Sequence, residues 1–134
     1  MTQYLLDTNT CVEWMRAKNQ TLLARLRNVP RIQLRLCSVV VGELTYGALR
    51  SADPASNSLR LQMLFANITS LPFDDAAARS YAKIRFDLAN LGTPIGPNDT
   101  LIAAIALTHG LTLVTHNSRE FSRVSGLAIE DWQV

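Results

Sequence analysis

The feature that most limits what this chain can fold into is a repeated change of pattern, from a short apolar run to a stretch of helical period. "YLLD" (4–7), "LRLCSV" (34–39), "ITSLPF" (68–73) and "LTLVT" (111–115) have the length and composition of buried or edge strands. The segments between them predict helices at 9–18, 20–28, 39–51, 54–67, 74–92 and 98–109. Local punctuation supports this division. Pro30 breaks the second helical pattern, Ser38 is placed to cap the helix that follows it, and Pro54 suits a first helical turn. "DDAAARSYAKIRFDLANLG" (74–92) opens on acids and closes on glycine, as a helix should. "SREFSRV" (118–124) reads as a helical turn and "LAIEDW" (127–132) as a final strand. Strands alternating with helices imply an α/β fold: a central, mostly parallel sheet of four to five strands with helices on both faces. No repeat, low-complexity tract or linker interrupts the 134 residues, so 1–134 is expected to be a single domain.

A parallel sheet also says where to look for function, because ligands bind in the crevice beyond the carboxyl ends of the strands. Asp7 closes the first strand and is followed by Thr8 and Asn9. It could cap the next helix or serve a site. Glu43 shares a helix face with apolar residues, where a carboxylate is costly unless an arginine, hydrogen bonds or a cation meets it. Gly42 and Gly47 flank it, and glycine inside a helix costs about 0.5–1 kcal/mol relative to alanine, which suggests close approach by another backbone or a ligand. Asp99 opens "DTLIAAIAL", the least polar helix of the chain. Capping accounts for one of Asn98 and Asp99 but not both. Thr115, Asn117 and Glu120 stand at or after the fourth strand's end. His116 beside them has no triad partners and reads as a surface or packing residue.

Composition narrows the partners. A net charge of +2 says little by itself. Its distribution says more: Arg16, Lys18, Arg25, Arg27, Arg31 and Arg35 occupy 16–35 without one acid, a solvated helical face or a surface for a phosphate backbone. Cys11 and Cys37 lie in apolar segments without metal-ligand spacing and are expected to be reduced core thiols. The chain shows no secretory signal and no window near the ~20 apolar residues of a membrane span, so a cytoplasmic location is expected.

Asp7, Glu43 and Asp99 are more informative together. Three carboxylates brought to one crevice repel each other unless a cation joins them. An oxygen-only donor set suits Mg²⁺, with Mn²⁺ as substitute, better than zinc. Such a site on a basic protein is commonly one that cleaves or transfers phosphate.

The order and spacing of "LLDTNT" (5–10), "VVVGELTYGA" (39–48), "PFDDAAARSYAKIR" (72–85), "PIGPNDTLIAAIAL" (94–107), "LVTHNSREFSRVSGL" (113–127) and "IEDW" resemble the PIN-domain ribonucleases, in particular the VapC toxins of toxin–antitoxin modules. The resemblance covers nearly the whole chain. It implies a Rossmann-like α/β/α sandwich and a Mg²⁺-dependent endoribonuclease that cuts structured RNA and stops translation. Initiator tRNA, cut in its anticodon stem-loop, is the leading expectation for the substrate. Asp7, Glu43 and Asp99 fall on the family's three principal acidic positions, with Asp7 and Asp99 the direct metal ligands. The family's fourth acid is matched by Asn117, with Glu120 three residues on, and Thr8, Asn9 and Thr115 are the supporting hydrogen-bond donors and acceptors. Arg16, Lys18, Arg25 and Arg27 are the candidate RNA contacts. The expected partners are a VapB-type antitoxin lying across the active-site groove, a second toxin copy in a homodimer or larger toxin–antitoxin assembly, and promoter DNA only through the antitoxin. The alternative is a PIN-like scaffold that has lost catalysis and only binds a partner, which Asn117 alone favours.

Overall fold

Five parallel strands form one sheet in the computed structural model, which describes residues 1–134. They are β1 (Tyr4–Leu6), β2 (Leu34–Cys37), β3 (Thr69–Leu71), β4 (Thr112–Val114) and β5 (Ile129–Glu130). Between them lie α1 (Thr8–Arg16), α2 (Gln20–Asn28), α3 (Ser38–Leu49), α4 (Pro54–Asn67), α5 (Asp75–Asn90), α6 (Pro97–His109) and the single turn α7 (Ser118–Phe121). The strand order is β3-β2-β1-β4-β5, and the arrangement is the α/β sandwich that the alternation predicts. The chain builds outward from β1 in one direction, then returns to add β4 and β5 on its other side. That reversal places a topological switch point between β1 and β4, where open parallel sheets bind ligands.

Local sequence explains the starts of the helices. Asp7, Asn19, Asp53 and Asp74 cap α1, α2, α4 and α5, each accepting the backbone N–H three residues on. α6 ends on Gly110, whose φ of 63° is one that glycine adopts without steric cost. Every residue of α6 from Ile102 to Ala106 is fully buried, so this helix runs through the core and is apolar all round. Its alanines allow close packing, and Ser80 of α5 and Thr108 of α6 bond through their hydroxyls at 2.9 Å.

The structure departs from expectation in three places. Ser38 does not cap α3. The cap residue is Cys37, without a side-chain bond, and the Ser38 hydroxyl instead accepts the Phe73 N–H at 3.1 Å, tying the start of α3 to the segment leading into α5. The final strand shrinks from 127–132 to Ile129–Glu130, because Asp131 turns away to bond His116 and the Gln133 N–H. Neither Asn98 nor Asp99 caps α6: the cap is Gly96, with no side-chain bond, which frees both side chains.

Both cysteines are buried and unpaired, and burial pushes both thiols up, so they stay protonated and inert. No helix is long and apolar enough to cross a membrane.

Candidate functional site

Asp7 leaves β1 at the switch point and is buried, at 6% exposure. Its backbone N–H donates to the Val114 carbonyl of β4 at 3.1 Å, and one carboxylate oxygen accepts the Thr10 N–H at 2.9 Å. The capping role is therefore real. Capping occupies only one oxygen, however, and the other three Asp or Asn caps do not lie buried between two strands. Burial pushes the Asp7 carboxyl above the usual range. Hydrogen bonds from Thr115 and Thr10 oppose that shift, and the Glu43 charge adds to it.

Glu43 bridges two helix starts. Its Oε1 accepts from the Thr8 hydroxyl at 2.5 Å, and its Oε2 accepts from the Asn98 amide at 3.2 Å. The salt bridge that would have made it merely structural is absent. The chain's four ion pairs join Arg16 to Glu13, Arg25 to Glu130, Lys83 to Asp87 and His116 to Asp131.

Asp99 sits in the first turn of α6, where the helix dipole favours a negative charge. Its carboxyl is nevertheless pushed up to about 6, first by burial and then by the charges of Asp7, Glu43 and Glu120. Burial and repulsion together thus outweigh the dipole. It also shows that four carboxylates, Asp7 after β1, Glu43 of α3, Asp99 of α6 and Glu120 of α7, share one field, none of them paired to Lys or Arg.

The two candidates for the fourth position are linked. The Asn117 amide donates to Glu120 Oε2 at 3.0 Å, and the Asn117 N–H donates to the Thr115 hydroxyl at 2.9 Å. Glu120 supplies the charge felt by Asp99, and Asn117 holds it in place. Of the supporting residues, Thr8 and Thr115 bond within the site. Asn9 is exposed, and its side chain bonds no site carboxylate, because it points off the outer side of α1.

No three His, Cys, Asp or Glu side chains stand close enough to form a complete metal cage. The donor set still fits a hard divalent cation: carboxylate oxygens only, mutually repelling, none neutralised by Lys or Arg. Two such carboxylates with water in the remaining positions are what Mg²⁺ accepts.

A groove of about 1070 Å³ opens from this cluster between α1, α3 and α4. Thr8, Glu43 and Asn98 line its acidic end. Its floor is apolar, with Val12, Val39 and Leu44, and Arg16, Arg50 and Arg60 also line it. Thr8 begins α1 and Arg16 ends it, while Arg50 lies two turns beyond Glu43, so the arginines mark the far end.

The residues expected to meet RNA are divided by this groove. Arg16 is on the groove, whereas Lys18, Arg25 and Arg27 are not. Arg25 is held by Glu130 at 2.7 Å and lies 5.2 Å from the Trp132 ring, which makes it a fold-holding residue. Arg50, Arg60 and Asn98 were not signalled by a charge block. Asn98 could have been found, since capping leaves either it or Asp99 unexplained.

The sequence matches the family description "PIN domain" over residues 4–127. It is 38% identical over 132 residues to the tRNA(fMet)-specific endonuclease VapC of Salmonella typhimurium, covering 98% of this chain and 99% of that protein. It is 35% identical to Ribonuclease VapC2 of Haemophilus influenzae, with the same coverage. Among solved structures, DNA-bound VapBC from Salmonella typhimurium superposes with a TM-score of 0.92 at 38% identity, over 98% of this chain and 99% of that one.

Proposed function

The chain belongs to the PIN-domain family, and from that premise we propose that it is one PIN domain acting as the toxin of a toxin–antitoxin pair, a divalent-metal-dependent endoribonuclease. The substrate is structured RNA, with initiator tRNA cut in the anticodon stem-loop as the specific reading. Its support is the full-length similarity to a protein named a tRNA(fMet)-specific endonuclease. The observation that carries the reading is the meeting of Asp7, Glu43 and Asp99 at the β1/β4 switch point with no basic partner. A structural cluster would have been neutralised.

Asp7 and Asp99 would hold the ion, Mg²⁺ or Mn²⁺. When bound, the ion supplies a water of lowered pKa and offsets negative charge on the phosphate oxygens. The rest falls to the chain's own side chains. Glu43, oriented by Thr8 and Asn98, is positioned to accept a proton from an attacking water. Thr10 and Thr115 hold the Asp7 carboxylate in place by hydrogen bonds. Glu120, braced by Asn117, fills the fourth acidic place. Buried apolar residues behind the crevice exclude water from the far side of these groups.

The groove between α1, α3 and α4 is of a size to take the C-terminal segment of a VapB-type antitoxin, which would block the site. Relatives solved as VapBC complexes support that partner, and two of them were solved with DNA. Promoter binding would come through the antitoxin, in the cytoplasm where tRNA is found, with a toxin homodimer at the centre of the assembly.

The deciding experiment maps the 5′ ends of RNA cut by the purified chain with Mg²⁺. Wild type should give a discrete cut, and Asp7→Asn should reduce the rate by more than roughly a hundredfold while keeping the fold. Equal cutting by the two proteins would remove the active-site assignment. A correctly folded wild type that cuts no RNA would leave the scaffold alternative.

A further inference from the structure

One wall of the groove carries a feature that metal chemistry does not use. Tyr46, Gly47 and Arg50 stand three, four and seven residues after Glu43, the first two on α3 and Arg50 as the residue that ends it, so they share a helix face, and all four line the groove. Glu43 and Arg50 are two turns apart, about 10 Å along the axis. Tyr46 lies between them and is 66% exposed. The Arg50 guanidinium sits 5.5 Å from the centre of its ring. Arg50 makes no ion pair, and neither does Arg60.

The glycines add an independent observation. A Cβ built on Gly42 or Gly47 meets no atom within 4 Å, so packing inside the chain requires neither glycine. Both positions lower helix stability, and both leave bare backbone beside Tyr46 on the groove side. What they provide is room next to an exposed aromatic ring.

The geometry points to Tyr46, with Arg50 stacked on it, as the platform that receives an unpaired base of the RNA, one turn along α3 from Glu43 at the acidic end of the groove. This rests on the ribonuclease reading above. Aromatic rings and guanidinium planes are the surfaces on which unstacked bases of RNA loops are held. Arg60, on the same groove and in no ion pair, supplies positive charge for the neighbouring phosphates, whereas the charge of Arg16 is shared with Glu13. RNA fits this wall better than an acidic peptide does, because the peptide would use the guanidiniums and leave both the ring and the cleared space idle. Tyr46 is therefore a positioning residue that selects cut sites with a displaced base beside them.

The test uses a short RNA hairpin carrying 2-aminopurine in its loop, titrated into Asp7→Asn protein, which holds RNA without cutting it. Stacking on Tyr46 should quench the fluorophore. Tyr46→Ala should abolish the quench and weaken binding roughly tenfold or more, and Tyr46→Phe should restore both. In the cutting-competent chain, Tyr46→Ala should raise KM for structured RNA by a similar factor with a smaller change in kcat. Circular dichroism melts confirm that the variants are folded, as expected for so exposed a residue.

Unchanged quench, affinity and KM in folded Tyr46→Ala would overturn the platform while leaving the ribonuclease reading intact. Failure of Tyr46→Phe to rescue would overturn it too, since the ring would not be the working part. If Tyr46→Ala binds RNA normally but loses hold of the antitoxin, the wall is a protein contact and the inference falls. If wild type cuts no RNA yet the Tyr46-dependent quench persists, the platform stands and the catalytic reading fails.

Discussion

Two edges of the molecule handle carboxylates in opposite ways. Near the C-terminus, Glu130 accepts the Arg25 guanidinium at 2.7 Å and the Trp132 indole N–H at 2.9 Å. Arg25 also lies over the Trp132 ring, Tyr4 meets that ring edge-on at 5.0 Å, and Asp131 bonds His116. Every charge there has an opposite charge or a donor committed to it, and the latch fastens α2 and β5 onto the sheet. At the β1/β4 switch point, Asp7, Glu43 and Glu120 receive only hydroxyls, amides and backbone N–H groups, and Asp99 beside them has no ion pair. The first arrangement stabilises the fold. The second leaves a negative field that costs stability and is useful only when a cation or a cationic partner enters it.

The sharpest way to break this contrast is to supply the missing charge. Mg²⁺ or Mn²⁺ should stabilise the wild-type chain against thermal unfolding, by about 2.7 kcal/mol at a hundred times Kd. Asp99→Asn should lose most of that response, and a chelator should abolish RNA cleavage. A thermal midpoint that ignores both ions would show that the acidic edge does not hold one.

A smaller effect concerns the repulsion itself. Asp99 titrates at about 6 in the fold against 3.8 for the free group, so between those values the folded chain binds more protons than the unfolded one. Its contribution to metal-free stability therefore falls as pH rises through that window. Asp99→Asn should remove the loss and stabilise the metal-free chain at neutral pH by roughly 1 kcal/mol, after allowance for its partial exposure. The gain should shrink as pH falls and vanish well below 3.8, where the carboxyl is protonated in the folded and the unfolded chain alike. Urea melts at neutral and at acid pH measure it, and destabilisation at neutral pH would mean that Asp99 has a favourable partner instead.

The smallest effect lies on the other side of the comparison. Arg25→Met should cost about 0.5–1 kcal/mol of folding stability, since the pair it breaks is half exposed. RNA cleavage and its salt dependence should not change. A flatter salt dependence in this variant would return Arg25 to the RNA-binding surface.

Much of this was legible in the sequence for physical reasons that particular residues illustrate. Asp7 and Asp74 announce helix starts because a short polar side chain meets a free N–H a fixed distance ahead, a local relation. Period and punctuation gave the strands for the same reason. Asp7, Glu43 and Asp99 stood out because each interrupts an apolar pattern where burial of a charge is costly. Arg25 and Arg50 show the limit. Arg25 lies in a block of arginines and Arg50 does not, yet Arg25 ends on Glu130, 105 residues away, while Arg50 faces the groove. Ser38 failed likewise: a residue suited to capping was claimed by Phe73, which only the fold brings beside it.

The amino-acid order alone settled the strand–helix alternation, the approximate extent of each long helix and the three carboxylates whose presence in apolar surroundings called for an explanation. Those properties depend on neighbours within a turn or two of chain. Tertiary structure decided which acids feel one another, that Asn98 and Thr8 hold Glu43, that Glu120 joins through Asn117, and which arginines face the groove. The reason is that Coulomb forces and hydrogen bonds act through space over a few ångströms, and the folded sheet alone brings residues 7, 43, 99 and 120 within that range.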